Sequence, residues 1–376
     1  MTLHSRYPEI ADLRASARRR LPRFVWDYLD SGTGQEAARA RARAAFDAVR
    51  LTPAVLRGET ETDLTTPLLG RDNALPVGIA PVGMSGLVRP DAERTLARAA
   101  ARLGIPYAMS TVAAATPEEV GPETRGDGWY QLYPPRDPDI RADMLARARA
   151  SGFRTLILTV DVPVASRRER LVRSGMTSPP RLTARIAAQC AIRPAWSLAR
   201  LGHGMPRMKT LDPYTRDLVS RDPTAHVGYL LRTAPDMDYL RWLRDHWDGP
   251  LVVKGLLNPQ DAAPLQAEGV DALWISNHAG RQFDGGPPPI EVLPAFRAAT
   301  DLPLILDSGV EGALDILRAF ARGADFVMLG RAWHYALAAL GRDGPAHLAE
   351  ILRRDLVANL GQLACRHPRD LARPEP

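Results

Sequence analysis

The segment 276–282 (SNHAGRQ) carries side chains well suited to catalysis. His278 is a natural general base, because an imidazole has an unperturbed pKa near neutral pH. Arg281 in the same segment, and Arg168 in a separate arginine-rich stretch, can each grip a carboxylate through paired hydrogen bonds. Asp161 follows an apolar run and could orient the histidine and stabilise its protonated form. These residue types predict a site that holds a carboxylate and moves a proton.

Each of these residues also has an ordinary structural explanation when it is taken alone. A single histidine such as His278 is more often packed or solvated than a base. Arg168 lies in the run Arg-Arg-Glu-Arg, which is typical of a solvated helix face. Tyr28 lies on an apolar helical stripe, where core packing would account for it. What favours a functional site is the joint placement of these residues relative to the predicted strands.

Eight short apolar segments alternate with amphipathic helical stretches along the chain. The predicted strands are 76–80, 106–110, 129–133, 155–160, 251–254, 272–276, 303–307 and 326–330. Predicted helices at 91–103, 138–150, 259–268, 290–300, 312–322 and 332–340 follow most of them. Alternating strands and helices predict a parallel sheet, and eight units without a reversal favour a closed (β/α)8 TIM barrel.

Two segments of this predicted single domain, 1–376, lie outside the repeating pattern. Residues 1–70 read as a helical extension that precedes the barrel, and residues 177–235 form a long insertion after the fourth strand. Such an insertion is usually a lid, a binding loop or a surface attachment. Residues 177–210 contain six basic and no acidic residues, interleaved with apolar side chains that include Trp196. This composition suits contact with an anionic membrane surface, and it equally suits a solvated surface excursion.

Composition sets the broad class of the protein. Hydrophobic residues make up 45% and charged residues 24%, which predicts a folded globular chain rather than a disordered one. The two cysteines are too few for a disulfide framework, and the first residues lack the apolar core of a signal peptide. We therefore expect a cytoplasmic protein, with a peripheral position on the inner face of the cell membrane left open. Nucleic acid is not an expected partner, because aromatic residues are sparse and no nucleic-acid motif occurs.

Nearly every predicted strand ends in a polar or hydrogen-bonding group, and in a barrel these ends meet at one mouth. Lys254 ends an apolar run and needs an anionic partner, which a cofactor that becomes negative on reduction would supply. Gly309 and the Gly330-Arg331 pair follow the seventh and eighth strands, where barrels usually bind phosphate. The remaining strand-end residues, which can hydrogen-bond a heteroaromatic ring, are Ser110, Gln131 and Thr159. The pattern predicts a cofactor of mononucleotide size that lies across the mouth.

The segment 276–285 (SNHAGRQFDG), with Lys254-Gly255 before it, resembles the signature of the FMN-dependent 2-hydroxy-acid oxidases and dehydrogenases. The likeness covers nearly the whole chain, and in detail it is closest to the bacterial L-lactate and (S)-mandelate dehydrogenases. It implies FMN as the cofactor and oxidation of an (S)-2-hydroxy acid, L-lactate or mandelate-like, to the 2-oxo acid. It further implies that electrons pass to quinone or the respiratory chain, and that the enzyme is a homo-oligomer, a tetramer.

The resemblance assigns a role to each matching residue. His278 would be the catalytic base, paired with Asp161, while Lys254 would stabilise the anionic reduced ring. The residues implied to bind substrate are Tyr28, Tyr133, Arg168 and Arg281. The implied flavin contacts are Ala80, Pro81, Val82, Ser110, Gln131, Thr159, Lys254, Ser276, Asp307, Ser308, Gly309, Gly330 and Arg331. No residue is expected to bind a metal.

Two positions depart from the family pattern. Glu311 stands where the family usually carries arginine, and a carboxylate there cannot help to hold a phosphate. Val112 stands where some members have tryptophan, which predicts extra room above the substrate. The segments 194–198 and 203–206 resemble the membrane-contacting insertion of mandelate dehydrogenase, which favours peripheral membrane attachment. The alternatives to a quinone-linked dehydrogenase are an oxygen-using oxidase, a non-oxidative FMN isomerase and a degenerate binding module.

Overall fold

Eight parallel strands close into a barrel in the computed structural model, which describes residues 2–176, 183–215, 231 and 233–372. The strands are β1 (Val77–Ile79), β2 (Tyr107–Ser110), β3 (Gly128–Leu132), β4 (Phe153–Thr159), β5 (Leu251–Leu256), β6 (Ala272–Ile275), β7 (Leu304–Leu306) and β8 (Phe326–Leu329). They are paired in sequence order, and β8 closes on β1 through pairs such as Val327 with Val77. Each predicted strand is confirmed, with its start and end within two residues of the prediction. The predicted (β/α)8 barrel is confirmed as well.

The helices surround the barrel as their amphipathic patterns predict. The main helices between or after strands are Ala92–Leu103, Pro117–Val120, Pro138–Ala150, Met237–His246, Ala262–Ala267, Pro289–Ala299, Ala313–Ala321, Arg331–Leu340 and Gly344–Gln362. Shorter 3-10 turns lie at Ser85–Leu87, Gly121–Thr124, Pro259–Asp261, His278–Gly280, Gly341–Asp343 and Pro368–Ala372. No helix in the described part of the chain is long and apolar enough to cross a membrane.

The core has two layers, because successive residues of a barrel strand point alternately inward and outward. Ile157 of β4 points into the barrel, while its neighbours Leu156 and Leu158 pack against the surrounding helices. Inside the barrel, Trp129 and Trp274 meet edge to face with ring centroids 6.4 Å apart. These bulky side chains fill the barrel interior, so the polar groups at the carboxyl ends of the strands lie above a close-packed apolar layer.

The N-terminal extension is helical over only part of its predicted length. Its helices are Leu3–Arg6, Ile10–Arg20, Arg23–Asp30 and Ala37–Ala48. The expected helical character up to residue 70 is wrong beyond Ala48, where irregular chain leads into the antiparallel strands Thr66–Leu68 and Arg71–Asn73. Proline and threonine are frequent in this stretch, and both residue types disfavour a helix interior.

The helix Glu169–Arg173 precedes the insertion. The described part of the insertion contains the helices Ala184–Ala191, Pro194–Arg200 and Asp212–Thr215 and a 3-10 turn at Lys209–Leu211. Residues 177–182, 216–230 and 232 lie outside the described residues. Trp196 does not face outward as a membrane anchor would, since only 7% of it is exposed. Its Nε1 donates to the Leu87 carbonyl at 3.0 Å, and its ring packs edge to face on Phe24. The tryptophan therefore attaches the insertion to the barrel.

Candidate active site

The turn after β6 presents His278 in a constrained backbone. His278 and Ala279 have φ values of +54° and +56°, in the left-handed region that residues with a Cβ rarely adopt. Two serine hydroxyls accept hydrogen bonds from the backbone of this turn. The Ser276 hydroxyl accepts from the His278 N–H at 3.0 Å, and the Ser308 hydroxyl accepts from the Ala279 N–H at 2.9 Å. The turn is therefore held by side chains from two strand ends, and the imidazole is positioned before any substrate arrives.

His278 lies between an aspartate and a tyrosine. Its Nδ1 is 3.2 Å from both carboxylate oxygens of Asp161, which follows β4, and its Nε2 is 3.5 Å from the Tyr133 hydroxyl. Burial alone would raise the pKa of Asp161, but the His278 and Lys254 charges hold that pKa below its ordinary value. Asp161 is consequently an anion near neutral pH. It fixes the ring orientation and leaves Nε2 as the atom that meets a reacting proton.

Arg168 and Arg281 converge on the end of the helix Arg23–Asp30. Both guanidinium groups donate to the Tyr28 carbonyl, Arg168 also donates to Ser31, and Arg281 also donates to the Leu29 carbonyl. Within the described residues, neither arginine lies within ion-pair distance of a carboxylate, and the buried Nε atom of each has no hydrogen-bond partner. Burial and the neighbouring Arg168 cation lower the pKa of Arg281 to about 10. This pair of partly buried cations can accept an anionic ligand.

Tyr28 and Tyr133 line the same space. The Tyr28 hydroxyl donates to the Gly83 carbonyl at 2.9 Å, and the Arg168 guanidinium lies 5.2 Å from the Tyr28 ring centre. Burial raises the pKa of both phenols, and the positive charges of Arg168 and Arg281 offset part of this rise. Both tyrosines are therefore neutral hydrogen-bonding groups at the arginine pair, so core packing alone does not account for Tyr28.

Lys254 at the end of β5 is buried in a polar network beneath the histidine turn. Its Nζ donates to the Ser276 hydroxyl at 2.9 Å and lies 3.1 Å from a carboxylate oxygen of Asp307. Asp307 also accepts from the Ser276 and Ser308 hydroxyls, each at 2.5 Å. The anionic partner that the lysine requires is thus present within the protein, and the network ties β5, β6 and β7 together.

The remaining predicted cofactor residues fit a flavin ring. The Ser110 hydroxyl donates to Gln131 Oε1 at 2.9 Å, while Gln131 Nε2 and Thr159 Oγ1 are buried without a hydrogen-bond partner in the described structure. A flavin edge, rich in carbonyl oxygens and ring nitrogens, would satisfy these orphaned groups. A cleft that is open at its mouth continues past the other predicted residues, which are Ala80, Pro81, Val82, Lys254, His278, Arg281, Asp307, Ser308, Gly309, Gly330 and Arg331.

The far end of this cleft contains two arginines that the sequence did not indicate. Arg14 and Arg39 from the N-terminal helices line it together with Gly309, Glu311 and Arg331. Arg331 is partly buried and donates to the Asp30 carbonyl at 3.3 Å, and loss of solvent lowers its pKa. The run ARARAR at 38–43 is the sequence signal for Arg39, because arginines four apart share a helix face, but nothing local says what that face meets.

The site can now be compared with known proteins. Residues 17–375 match the FMN-dependent dehydrogenase family. The chain belongs to this family. It is an FMN-dependent enzyme of the 2-hydroxy-acid dehydrogenase and oxidase group, as the sequence resemblance predicts.

Relatives of known structure or assigned activity agree with this membership. The L-lactate dehydrogenase of Xanthobacter autotrophicus is 37% identical over 369 residues, which span 96% of this chain and 94% of the relative. That of Caulobacter vibrioides is 39% identical over 352 residues, spanning 92% and 91%. Among solved structures, the monotopic membrane protein (S)-mandelate dehydrogenase has a TM-score of 0.92 at 35% identity, covering 97% of both chains. A mandelate oxidase has a TM-score of 0.84 at 31% identity, covering 98% of this chain and 97% of the other.

Proposed function

We propose that this dehydrogenase oxidises an (S)-2-hydroxy acid of the L-lactate or mandelate type to the 2-oxo acid. The observation that carries the proposal is one oriented base beside two partly buried cations. His278 Nε2 faces the Tyr133 hydroxyl, and the charges of Arg168 and Arg281 both act on that same tyrosine. A 2-hydroxy acid matches this arrangement, because its carboxylate and its reacting carbon are adjacent.

Substrate binding is the task of the two arginines and the two tyrosines. The Nε atoms of Arg168 and Arg281 are buried and unpaired in the described structure, so a carboxylate would gain hydrogen bonds without displacing a protein anion. Tyr133 can then donate to the substrate, since burial keeps its phenol protonated. The Tyr28 hydroxyl already donates to the Gly83 carbonyl, so it meets the substrate as an acceptor. Gly83 lies beside Tyr28 and packs against Val112, and the small size of Gly83 and Val112 favours room for the substrate side chain.

His278 accepts a proton from the substrate while Asp161 stabilises the resulting imidazolium ion. When bound, FMN accepts the two electrons that leave the substrate. The proton taken by His278 comes either from the hydroxyl, with the α-hydrogen leaving as hydride, or from the α-carbon. In either order the substrate becomes the 2-oxo acid, one proton stays on His278, and the electron pair with the second hydrogen passes to FMN. Lys254, at the flavin edge as the family pattern implies, would favour the negative charge that FMN gains.

The test is an anaerobic screen of the flavin-loaded protein against L-lactate, (S)-mandelate, glycolate and longer 2-hydroxy acids. We expect bleaching of the flavin bands by at least one of these acids. The variant His278→Gln should retain bound FMN yet show no rapid bleaching, because the base is lost while the flavin contacts remain. Rapid bleaching in that variant would exclude His278 as the base, and no bleaching of the wild type by any acid would refute the proposal as a whole.

The electron acceptor that we propose is a quinone, reached from a peripheral position on the inner face of the cell membrane. Four apolar side chains of the insertion are more than half exposed: Ile192, Leu198, Leu201 and Met205. Basic residues lie among them, and this combination suits an anionic membrane surface. Similarity to a monotopic mandelate dehydrogenase supports the proposal. Similarity to a mandelate oxidase favours oxygen as the second candidate, and efficient peroxide formation in air would select it.

A further inference from the structure

The phosphate end of the cofactor cleft has a carboxylate in its wall. Glu311 follows β7 on the loop where barrels of this type commonly bind phosphate, and it lines the cleft with Gly309 and Arg331. A carboxylate that lines the cleft repels a phosphate dianion bound in the same cleft. The cation that neutralises the FMN phosphate must therefore come from another element.

The N-terminal helix Ala37–Ala48 lies directly over this loop. Arg43 holds it there through two contacts with the Asp315 carboxylate, at 2.6 Å and 2.8 Å. A Cβ at Gly309 would stand only 3.0 Å from Ala42 and Phe46, so the helix and the loop are in close contact. Gly309 has a φ of +96°, and this conformation turns the loop beneath the helix.

Arg39 lies one helical turn before Arg43 and therefore on the same helix face. That face meets the cleft. Arg39 lines both the cleft and an adjoining cavity, and the two share Gly309, Glu311 and Arg331. Arg39 Nη1 donates to the Asp30 carbonyl at 2.7 Å and to Glu36 at 2.9 Å. These bonds set the direction of the side chain and use only one of its two terminal nitrogens.

The surrounding charges also leave room for an anion. The Asp30 carboxylate is shared by Arg14, Arg39 and Arg170 and accepts the Tyr335 hydroxyl, so its charge is divided among several partners. Arg331 is partly buried, with no carboxylate in ion-pair range among residues 2–176, 183–215, 231 and 233–372. A partly desolvated cation in this position is stabilised when an anion binds beside it.

We propose that Arg39, supplied by the N-terminal extension, pairs with the FMN phosphate beside Arg331, in place of a cation on the loop that carries Glu311. The inference rests on the use of FMN by this enzyme. It makes the cofactor a bridge between the extension and the barrel, because the flavin ring lies at the strand ends and the phosphate meets the helix Ala37–Ala48.

The experiment compares FMN with riboflavin, which has the same ring and no phosphate. Protein freed of flavin is titrated with each compound, and binding is followed by the change in flavin fluorescence. Arg39→Leu should weaken FMN binding on the order of 10- to 100-fold, the usual worth of a charge-assisted hydrogen bond, and leave riboflavin binding unchanged. Arg41→Leu is the matched control, since Arg41 lies on the same helix and donates to Asp284 and Gly286 outside the cleft.

Two further variants make the result specific. Arg39→Lys keeps the charge but loses the planar fork, so FMN affinity should fall between that of Arg39→Leu and that of the wild type. In the double variant Arg39→Leu with Glu311→Arg, recovery of FMN affinity would show that the site needs a cation.

Equal affinities of wild type and Arg39→Leu for FMN would overturn the inference, and so would an equal loss of FMN and riboflavin binding. A wild-type protein that binds FMN but is not reduced by any 2-hydroxy acid would instead refute the proposed function alone.

Discussion

Replacement of Asp161 by asparagine tests the pairing at the centre of the site. Both carboxylate oxygens of Asp161 lie 3.2 Å from His278 Nδ1, and the side chain is 14% exposed. Asparagine has nearly the same shape, so the packing around it should change little. It lacks the negative charge, however, and its amide can donate to Nδ1 and thereby select the wrong tautomer of the ring.

The expected loss follows from the charge that is removed. A hydrogen bond to a charged group contributes about 1.5–3 kcal/mol, and 1.4 kcal/mol corresponds to about a tenfold change in rate. This bond is strongest when His278 carries the proton taken from the substrate, so the Asp161 charge acts mainly on the reacting state. Asp161→Asn should therefore slow flavin reduction by about 10- to 100-fold, with little effect on substrate affinity.

The assay is anaerobic stopped-flow reduction of the bound flavin at several substrate concentrations, which separates the limiting reduction rate from substrate affinity. Asp325→Asn is the control, because Asp325 bonds to Arg297 and the Leu304 N–H at the opposite end of the barrel. It should lower stability without slowing reduction. A reduction rate in Asp161→Asn within about threefold of wild type would refute the assigned role.

Two other expectations concern stability and membrane binding. Burial lowers the pKa of His334 to about 4, so as pH falls His334 is protonated in the unfolded chain before it is protonated in the folded protein. The folded state therefore loses stability as pH falls from about 6.5 to 4, by about 3 kcal/mol at most. The variant His334→Gln should show a smaller fall in urea midpoint over that range, and a fall equal to that of the wild type would contradict the role of His334. Replacement of both Leu198 and Leu201 by serine should weaken sedimentation with anionic vesicles by at least about tenfold, since each exposed leucine can bury apolar area in the membrane. The control Val55→Ser, which removes an exposed apolar side chain outside the insertion, should sediment as wild type does, and unchanged binding of the double variant would exclude these leucines.

The sequence predicted the barrel and most of its mouth because both depend on local patterns. Strand and helix periodicities specify each βα unit, and eight such units specify closure. A residue at the end of a predicted strand or just beyond it, such as Lys254, His278 or Asp307, must then lie at the carboxyl end of the barrel. Its position follows from chain connectivity alone, and the structure brings these three into one hydrogen-bonded network.

Tertiary structure decided the residues that local patterns leave ambiguous. Arg168 has the sequence neighbours of a solvated arginine, yet it is partly buried. It donates to the Tyr28 carbonyl, 140 residues away in the chain, because the helix that contains Tyr28 packs on it. Trp196 has the neighbours of a membrane anchor, but it packs inward against Phe24.

The phosphate end of the cleft shows the same division between sequence and tertiary structure. The sequence by itself determined that position 311 carries a carboxylate where a cation was expected. Only the folded chain decided that Arg39 faces this end, because the contact between Arg43 and Asp315 that orients the helix joins residues 272 apart. The direction in which a helix face points depends on such distant partners, and no short stretch of sequence encodes them.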